Sequence, residues 1–349
     1  MGGISSGKRD QLEQLRELSA RIGCDPLLTQ ASTGNTSIKL NGTLWIKASG
    51  RWLADAELHD ILVPLDLNET RSYIKQKIDP SGVYEEASVE TAMHAVLPHR
   101  VVLHVHSVNT IAWAVRKDAR RRLESRLRGL AWQWISYVPS GLPLAAAIES
   151  AATQLPRPDV FILGNHGLVV AGDDCEAVAG LLTEVERRLA VPPRKENAVD
   201  YTVLSEVASR LAYVLPEDDI VHALATDCTS QTILSQGILF PCQSIFSSSL
   251  TPDLFRAVPL IESCEHYQRE CGMRPFLIIE GCGVLVRRDM TTMQRAIMSG
   301  LAQVVQRINA SVPIRYLTPE QAESSARIVS RYHREAHSVR RRLDTSVVA

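Results

Sequence analysis

Apolar residues recur at Leu12, Leu15, Leu18 and Ile22 with polar and charged residues between them, which predicts an amphipathic helix over Gln11 to Ile22. After Gly23 the period changes to two. S-I-K-L and T-L-W-I-K flank Asn41-Gly42, the signature of a β-hairpin with a two-residue turn. I-L-V-P-L at 61–65 predicts a further strand. Ala87 to Leu97 returns to helical spacing, with Ser88 as its N-cap, Glu90 in its first turn and Pro98 ending it. V-V-L-H-V-H at 101–106 predicts a short buried strand. Two helices follow, over 107–115 and 116–130. Arginines alternate with acidic residues in the second, which predicts a solvated face rather than a nucleic-acid patch. I-S-Y-V-P-S-G-L-P-L at 135–144 predicts an irregular loop before a helix over 144–154. V-F-I-L-G-N-H-G-L-V-V-A-G at 160–172 predicts two apolar strands joined by a tight turn, and Asp173 to Leu189 an amphipathic helix.

Pro192-Pro193 and the charged residues after them mark the best boundary, giving domains 1–192 and 193–349. The second half echoes the first. V-L-P-E-D-D-I-V-H at 214–222 parallels V-L-P-H-R-V-V-L-H at 96–104, and F-L-I-I-E-G-C-G-V-L-V at 276–286 parallels the segment around 161–170. In that register His104 maps onto His222, His106 onto Leu224 and His166 onto Cys282, so a degenerate repeat would lack a working metal set. Residues 319–342 predict a basic helix. The net charge of −1 gives no reason to expect nucleic acid as a partner, and no apolar run has the length of a membrane span. Seven cysteines without a C-x-x-C pattern, and an N-terminus without an apolar core, predict reduced thiols in a cytoplasmic protein.

The chemistry concentrates in three places. On a strand, His104 and His106 share a face, roughly 6.5–7 Å apart along it. One such pair is a weak metal signal, since a core histidine is usually a hydrogen-bonded structural residue. His166 adds weight: it sits in a G-N-H-G turn whose glycines permit close approach to another element. Three neutral imidazoles with a fourth position open form the ligand set of a catalytic zinc. Elsewhere, Ser32, Asn35, Ser49 and Gly50 lie in turns around the hairpin. They are either ordinary turn residues or a pocket of hydroxyls and backbone N–H groups for an anion.

G-N-T-S at 34–37, A-S-G at 48–50, S-V-E-x-x-x-H at 88–94, H-V-H at 104–106 and G-N-H-G at 164–167 occur in an order and spacing that resembles the class II aldolase/adducin superfamily. D-P-L-L-T-Q-A-S-T-G-N-T-S-I-K, L-W-I-K-A-S-G and S-V-E-T-A-M-H-A-V-L-P-H are similar to the aldolase portion of bifunctional rhamnulose-phosphate aldolase/dehydrogenase-type proteins. The resemblance covers about residues 10 to 190. It implies an α/β (α+β) fold: a class II aldolase-like αβα three-layer arrangement around a central, mainly antiparallel sheet. The internal echo, and not the resemblance, suggests the C-terminal domain as a degenerate second copy, with chance similarity between two buried hairpins as the competing reading. The resemblance implies that the turn residues, completed by Ser88, bind a substrate phosphate, although Val89 stands where the family often has a second serine. It also points to Tyr137 as a match for a family tyrosine, one that could protonate the aldehyde oxygen; a structural tyrosine is the competing reading.

The activity expected on these grounds is a divalent-metal-dependent aldolase that cleaves a ketose phosphate or related sugar by an enediolate mechanism. The metal would be Zn2+, or Mn2+, Co2+ or Mg2+, held by His104, His106 and His166. Glu90 would move a proton on and off carbon, with its pKa raised by burial; its competing role is to stabilise the helix dipole. His94 is expected to support the site rather than bind metal. The alternatives are a dehydratase, decarboxylase or epimerase on the same scaffold, and a non-catalytic adducin-like interaction protein. Retained ligand histidines argue against the last, and Glu90 argues against the epimerases. The expected partners are a small sugar or sugar phosphate and copies of the same chain, as a tetramer or dimer.

Overall fold

The computed structural model of the protein describes residues 6–195, 197–246 and 274–328. The described residues divide into two compact units, one built from those up to Ala114 and from Asp118 to Ala190, the other from Val115–Lys117 and those from Val191 to Ile328.

The first unit is organised around a seven-stranded sheet of order β3-β2-β1-β4-β7-β6-β5. Its strands are β1 (Asn35–Leu40), β2 (Thr43–Lys47), β3 (Leu62–Asp66), β4 (Val101–Val105), β5 (Trp132–Ile135), β6 (Val160–Leu163) and β7 (Gly167–Gly172). Among the described residues only β5 and β6 pair parallel; every other pair is antiparallel. The β1–β2 hairpin turns at Asn41 and Gly42, both with positive φ (51° and 79°), as a two-residue turn between twisted strands requires. β4 is buried along its whole length, and its Val-rich sequence suits a strand covered on both faces.

Helices cover the two faces. Met93 and Leu97, from α3 (Thr91–Val96) and its C-cap, pack with Leu144 and Ile148 of α6 (Leu142–Ala152). Their partners on the sheet are Val102, Ile135, Phe161, Leu163, Val169 and Ala171. Each such fully buried aliphatic or aromatic side chain contributes about 1.5–3 kcal/mol. α1 (Ser6–Gly23) lies on the opposite face, where the Ser19 hydroxyl meets that of Thr36 at 2.7 Å. α7 (Cys175–Leu189) packs beside α1 and on β4 and β7. Its N-cap is Asp174, whose carboxylate accepts from the Ala177 N–H, and its buried stripe is Cys175, Val178, Leu182, Val185 and Leu189. The result is the expected mixed α/β fold around a large, mainly antiparallel sheet.

The second unit carries a three-stranded sheet in which Gly283–Arg287 lies between Tyr213–Val214 and Phe276–Ile279. Leu204 and Val207 of the helix Tyr201–Arg210 pack there with Tyr213, Leu277, Ile279 and Leu285. The helix Thr292–Val305 opens with a capping box between Thr291 and Gln294. Residues 276–287 form an antiparallel hairpin, as residues 160–172 do. The segments before the two hairpins differ in conformation. Val101–Val105 is a strand, whereas Asp219–His222 is a 3-10 helix started by the Asp218 side chain. His222 therefore closes a helical turn and accepts from the Val284 N–H at 3.1 Å, unlike His104 in mid-strand. Cys24, Cys175, Cys228, Cys242 and Cys282 are free thiols. No helix among the described residues is long and apolar enough to cross a membrane. The basic segment expected over 319–342 falls mostly outside the described residues.

Candidate metal centre

His104 is the fourth residue of β4 and lies between Asn35 of β1 and Val169 of β7 in the ladder. Its Nδ1–H donates to the Leu168 carbonyl at 3.0 Å, which leaves the Nε2 lone pair free for a ligand. His106 directly follows Val105, the last residue of β4, and the Ser107 and Asn109 side chains just after it both donate to Glu186 of α7, at 2.5 and 3.1 Å. The two rings lean together, which brings Nε2 of His106 to 3.1 Å from Nε2 of His104.

His166 arrives from the turn between β6 and β7. Asn165 takes a positive φ of 53°, and the His166 N–H returns to the Leu163 carbonyl at 3.1 Å. Gly167 is needed for close approach: a Cβ there would lie 2.5 Å from the Val105 carbonyl oxygen. The three rings stand 5.0, 5.0 and 5.1 Å apart, centroid to centroid, at interplanar angles of 67°, 73° and 72°. One ligand atom from each lies within 4.8 Å of the others. Three imidazoles bound at about 2.0–2.1 Å in a tetrahedral shell have nitrogens roughly 3.3 Å apart. The His104–His106 pair is already at that spacing, so the residues present fit a divalent cation.

Electrostatics agree with that fit. Burial, reinforced by the neighbouring imidazoles, pushes His106 well below the usual histidine range. Burial also lowers His166 to about 4, against the pull of Glu90. Both are neutral at physiological pH, the form that binds metal.

Glu90 faces this trio, with Oε2 3.4 Å from His104 Nε2 and Oε1 3.4 Å from His166 Nε2. It is not in the first turn of a helix over 87–97. The helix is shorter, Thr91–Val96, and Glu90 precedes it with no side-chain cap bond. Ser88 accepts from the Glu90 N–H at 3.3 Å, making a tight turn that aims the carboxylate at the histidines rather than at helix amides. The expected upward pKa shift is also reversed. Burial alone would raise the carboxyl, but His104, His166, His106 and the Asn35 amide hold it down to about 2.

The turn residues converge differently from the expectation as well. Asn35 does not face open space for an anion. Its Nδ2 donates to Glu90 Oε2 at 2.7 Å and its Oδ1 meets His94 Nε2. The segments of Ser32, Ser49, Gly50 and Ser88 do come together. Buried Lys47 donates to the carbonyls of Ser32 (2.8 Å) and Arg51 (2.7 Å), and the Ser49 N–H donates to the Glu86 carbonyl at 2.9 Å. Gly50, at φ 71°, allows the turn between them. Tyr137 is half-buried on the loop between β5 and α6, three residues before Ser140, whose hydroxyl donates to Glu90 Oε1 at 3.3 Å.

Ser140, Lys47 and Glu186 were not singled out from the sequence. Lys47 carried a signal: a lysine ending an apolar strand flush against A-S-G. Glu186 interrupts the apolar stripe of α7, a weaker cue. Ser140 lies in an irregular loop and carried none.

The profile of the Class II Aldolase and Adducin N-terminal domain matches residues 13–191. The uncharacterized oxidoreductase YuxG of Bacillus subtilis (strain 168) is 27% identical over 187 residues, covering 47% of this chain and 27% of YuxG. The chain thus spans about a quarter of the length of that curated relative. The N-terminal class II aldolase domain of a conserved protein from Thermoplasma acidophilum is similar, with a TM-score of 0.46 and 21% identity over 54% of this chain and 94% of that one. L-fuculose-1-phosphate aldolase from Thermus thermophilus is similar with a TM-score of 0.38 and 20% identity, over 51% of this chain and 91% of that one. With the family profile spanning just over half of the sequence, and carried by the part that holds the three histidines, the chain belongs to the class II aldolase and adducin family.

Proposed function

We propose that this protein is a divalent-metal-dependent lyase of the aldolase type, cleaving a small phosphorylated ketose. The observation that carries the reading is the buried carboxylate of Glu90 set against three converging imidazoles. His104, His106 and His166 would hold the cation, with Zn2+ best suited to the donor set. When bound, the cation supplies a Lewis acid for the electron pair released as a C–C bond breaks beside an alcohol.

Glu90 moves the proton at the reacting carbon. Its two oxygens are not equivalent. Each lies 3.4 Å from an imidazole Nε2, but Oε2 is also held by the Asn35 amide at 2.7 Å, while Oε1 has the longer Ser140 contact of 3.3 Å, so Oε1 is the less tightly held oxygen and the one that takes and returns a proton. Tyr137 serves as the acid for the aldehyde oxygen. The loops of Ser32, Ser49, Gly50 and Ser88, tied by Lys47, receive the anionic group of the substrate. On this reading residues 1–192 carry the chemistry, and residues 193–349 serve the assembly of a homo-oligomer.

The test is a panel of ketose 1-phosphates offered to chelator-treated enzyme, with and without added Zn2+, Mn2+, Co2+ or Mg2+, scoring release of dihydroxyacetone phosphate. Metal-dependent release from at least one substrate, abolished in Glu90→Gln, supports the assignment. No release from any member, with the metal bound, rejects it.

A further inference from the structure

Behind Glu90 runs a chain of buried polar side chains. Asn35 and Ser37 alternate on β1 and so share a face, and His94 of α3 lies over both. The Ser37 hydroxyl meets His94 Nδ1 at 2.7 Å, His94 Nε2 meets Asn35 Oδ1, and Asn35 Nδ2 donates to Glu90 Oε2 at 2.7 Å. All four residues are buried.

Directions along this chain can be assigned from the Glu90 end. A carboxylate there only accepts, so Asn35 must turn its NH2 toward it and its carbonyl toward His94. His94 must then carry its proton on Nε2, which leaves Nδ1 as an acceptor for the Ser37 hydroxyl. The opposite amide orientation would set Asn35 Oδ1 against the carboxylate, acceptor against acceptor. Every group has one consistent role, and a single ring tautomer locks the amide.

We propose that His94, oriented by Ser37, is a positioning residue for Glu90, acting through Asn35. It fixes the amide so that Oε2 is clamped and Oε1 is left for proton transfer. The inference rests on Glu90 being the reacting carboxylate. The competing role for His94 is simple filling of the space between β1 and α3.

Two variants separate these roles. His94→Phe keeps the bulk and loses the Nε2–H donor; His94→Gln keeps a donor near the same place. We expect His94→Phe to lose about 10- to 100-fold in kcat, as a misplaced group does. Its KM and bound metal should stay within about twofold, and His94→Gln should recover most of the loss. Equal kcat in His94→Phe and wild type, or no recovery in His94→Gln, overturns the proposal.

A second measurement needs no activity: nitrogen-15 NMR of the histidine rings in the wild-type protein and in Asn35→Ala. The proposal expects a neutral Nε2–H tautomer for His94, with a slowly exchanging ring proton that is lost or shifted in Asn35→Ala. An Nδ1–H tautomer, or an Nε2–H signal unmoved by the substitution, contradicts it. Absence of lyase activity in the wild type would reject the function proposed above, while the tautomer would still decide whether the chain of hydrogen bonds exists.

Discussion

The Asn35 amide donates to Glu90 Oε2 at 2.7 Å, and the pairing of β1 with β4 sets Asn35 directly opposite His104. One residue of the sheet thus orders the carboxylate and sits beside a candidate metal ligand. A shift of β1 by one residue would turn Asn35 to the other face, away from His104 and Glu90, and dismantle the site.

Glu90→Gln removes the group that carries the proton and changes little else in shape. We expect kcat to fall about 10²- to 10⁴-fold, the range for a lost general acid–base group, with bound metal unchanged. Steady-state kinetics together with metal analysis check this. A variant with wild-type kcat would exclude Glu90 from the chemistry.

Gly167→Ala tests the close approach of the β6–β7 turn to β4. A Cβ would lie 2.5 Å from the Val105 carbonyl and 3.4 Å from His104 Cε1, both parts of the strand that carries the ligand. We expect destabilisation of about 1–3 kcal/mol and a weaker metal site. A lower urea midpoint and incomplete metal loading are the readouts.

Local pattern made part of this legible. The Asn41-Gly42 hairpin, the buried run of β4, the amphipathic α7 and the three histidines follow from period and turn chemistry within a few residues of each position. Glu90 could be picked out, but not its environment. Its first contacts come from Asn35, 55 residues away, and Ser140, 50 residues away. No local period encodes such pairings. The Glu90 pKa lies below rather than above the usual carboxylate range because the effect of burial is outweighed by the three imidazoles. The role of Lys47 was hidden for the same reason, since its partners are carbonyls of two separate turns. The 214–222 segment misled because an apolar V-L-P followed by a histidine fits a strand or a turn equally well. Its acidic Asp218 decided for the 3-10 turn by accepting from the Ile220 N–H.

Stability should fall in acid through His94. Burial lowers its pKa from 6.5 to about 3, against the pull of Glu90. Between those values the unfolded chain binds a proton that the folded one does not, so unfolding is favoured progressively as pH drops from 6.5 toward 3. The contribution is on the order of a few kcal/mol across that window and is absent above it. Melting temperature measured from pH 7.5 downward should be level at first and then decline. A stability that rises on acidification through this range would contradict a neutral, buried His94.

Lys47→Met cuts the tie between the Ser32 and Arg51 carbonyls. Losing a charge-assisted tie of about 1.5 kcal/mol corresponds to roughly tenfold in binding. We expect KM for a phosphorylated substrate to rise by about that factor, with kcat changed far less. Parallel kinetics on phosphorylated and unphosphorylated sugars give the comparison, and an equal effect on both would remove the two loops from anion binding.

In the proposed function His104, His106 and His166 hold one catalytic cation. Metal content by mass spectrometry, run on wild type and His166→Ala side by side with circular dichroism as a check on folding, tests it most directly. We expect about one divalent ion per wild-type chain and its loss from a folded His166→Ala. Equal metal in both proteins, or none in the wild type after reconstitution with Zn2+, would contradict it.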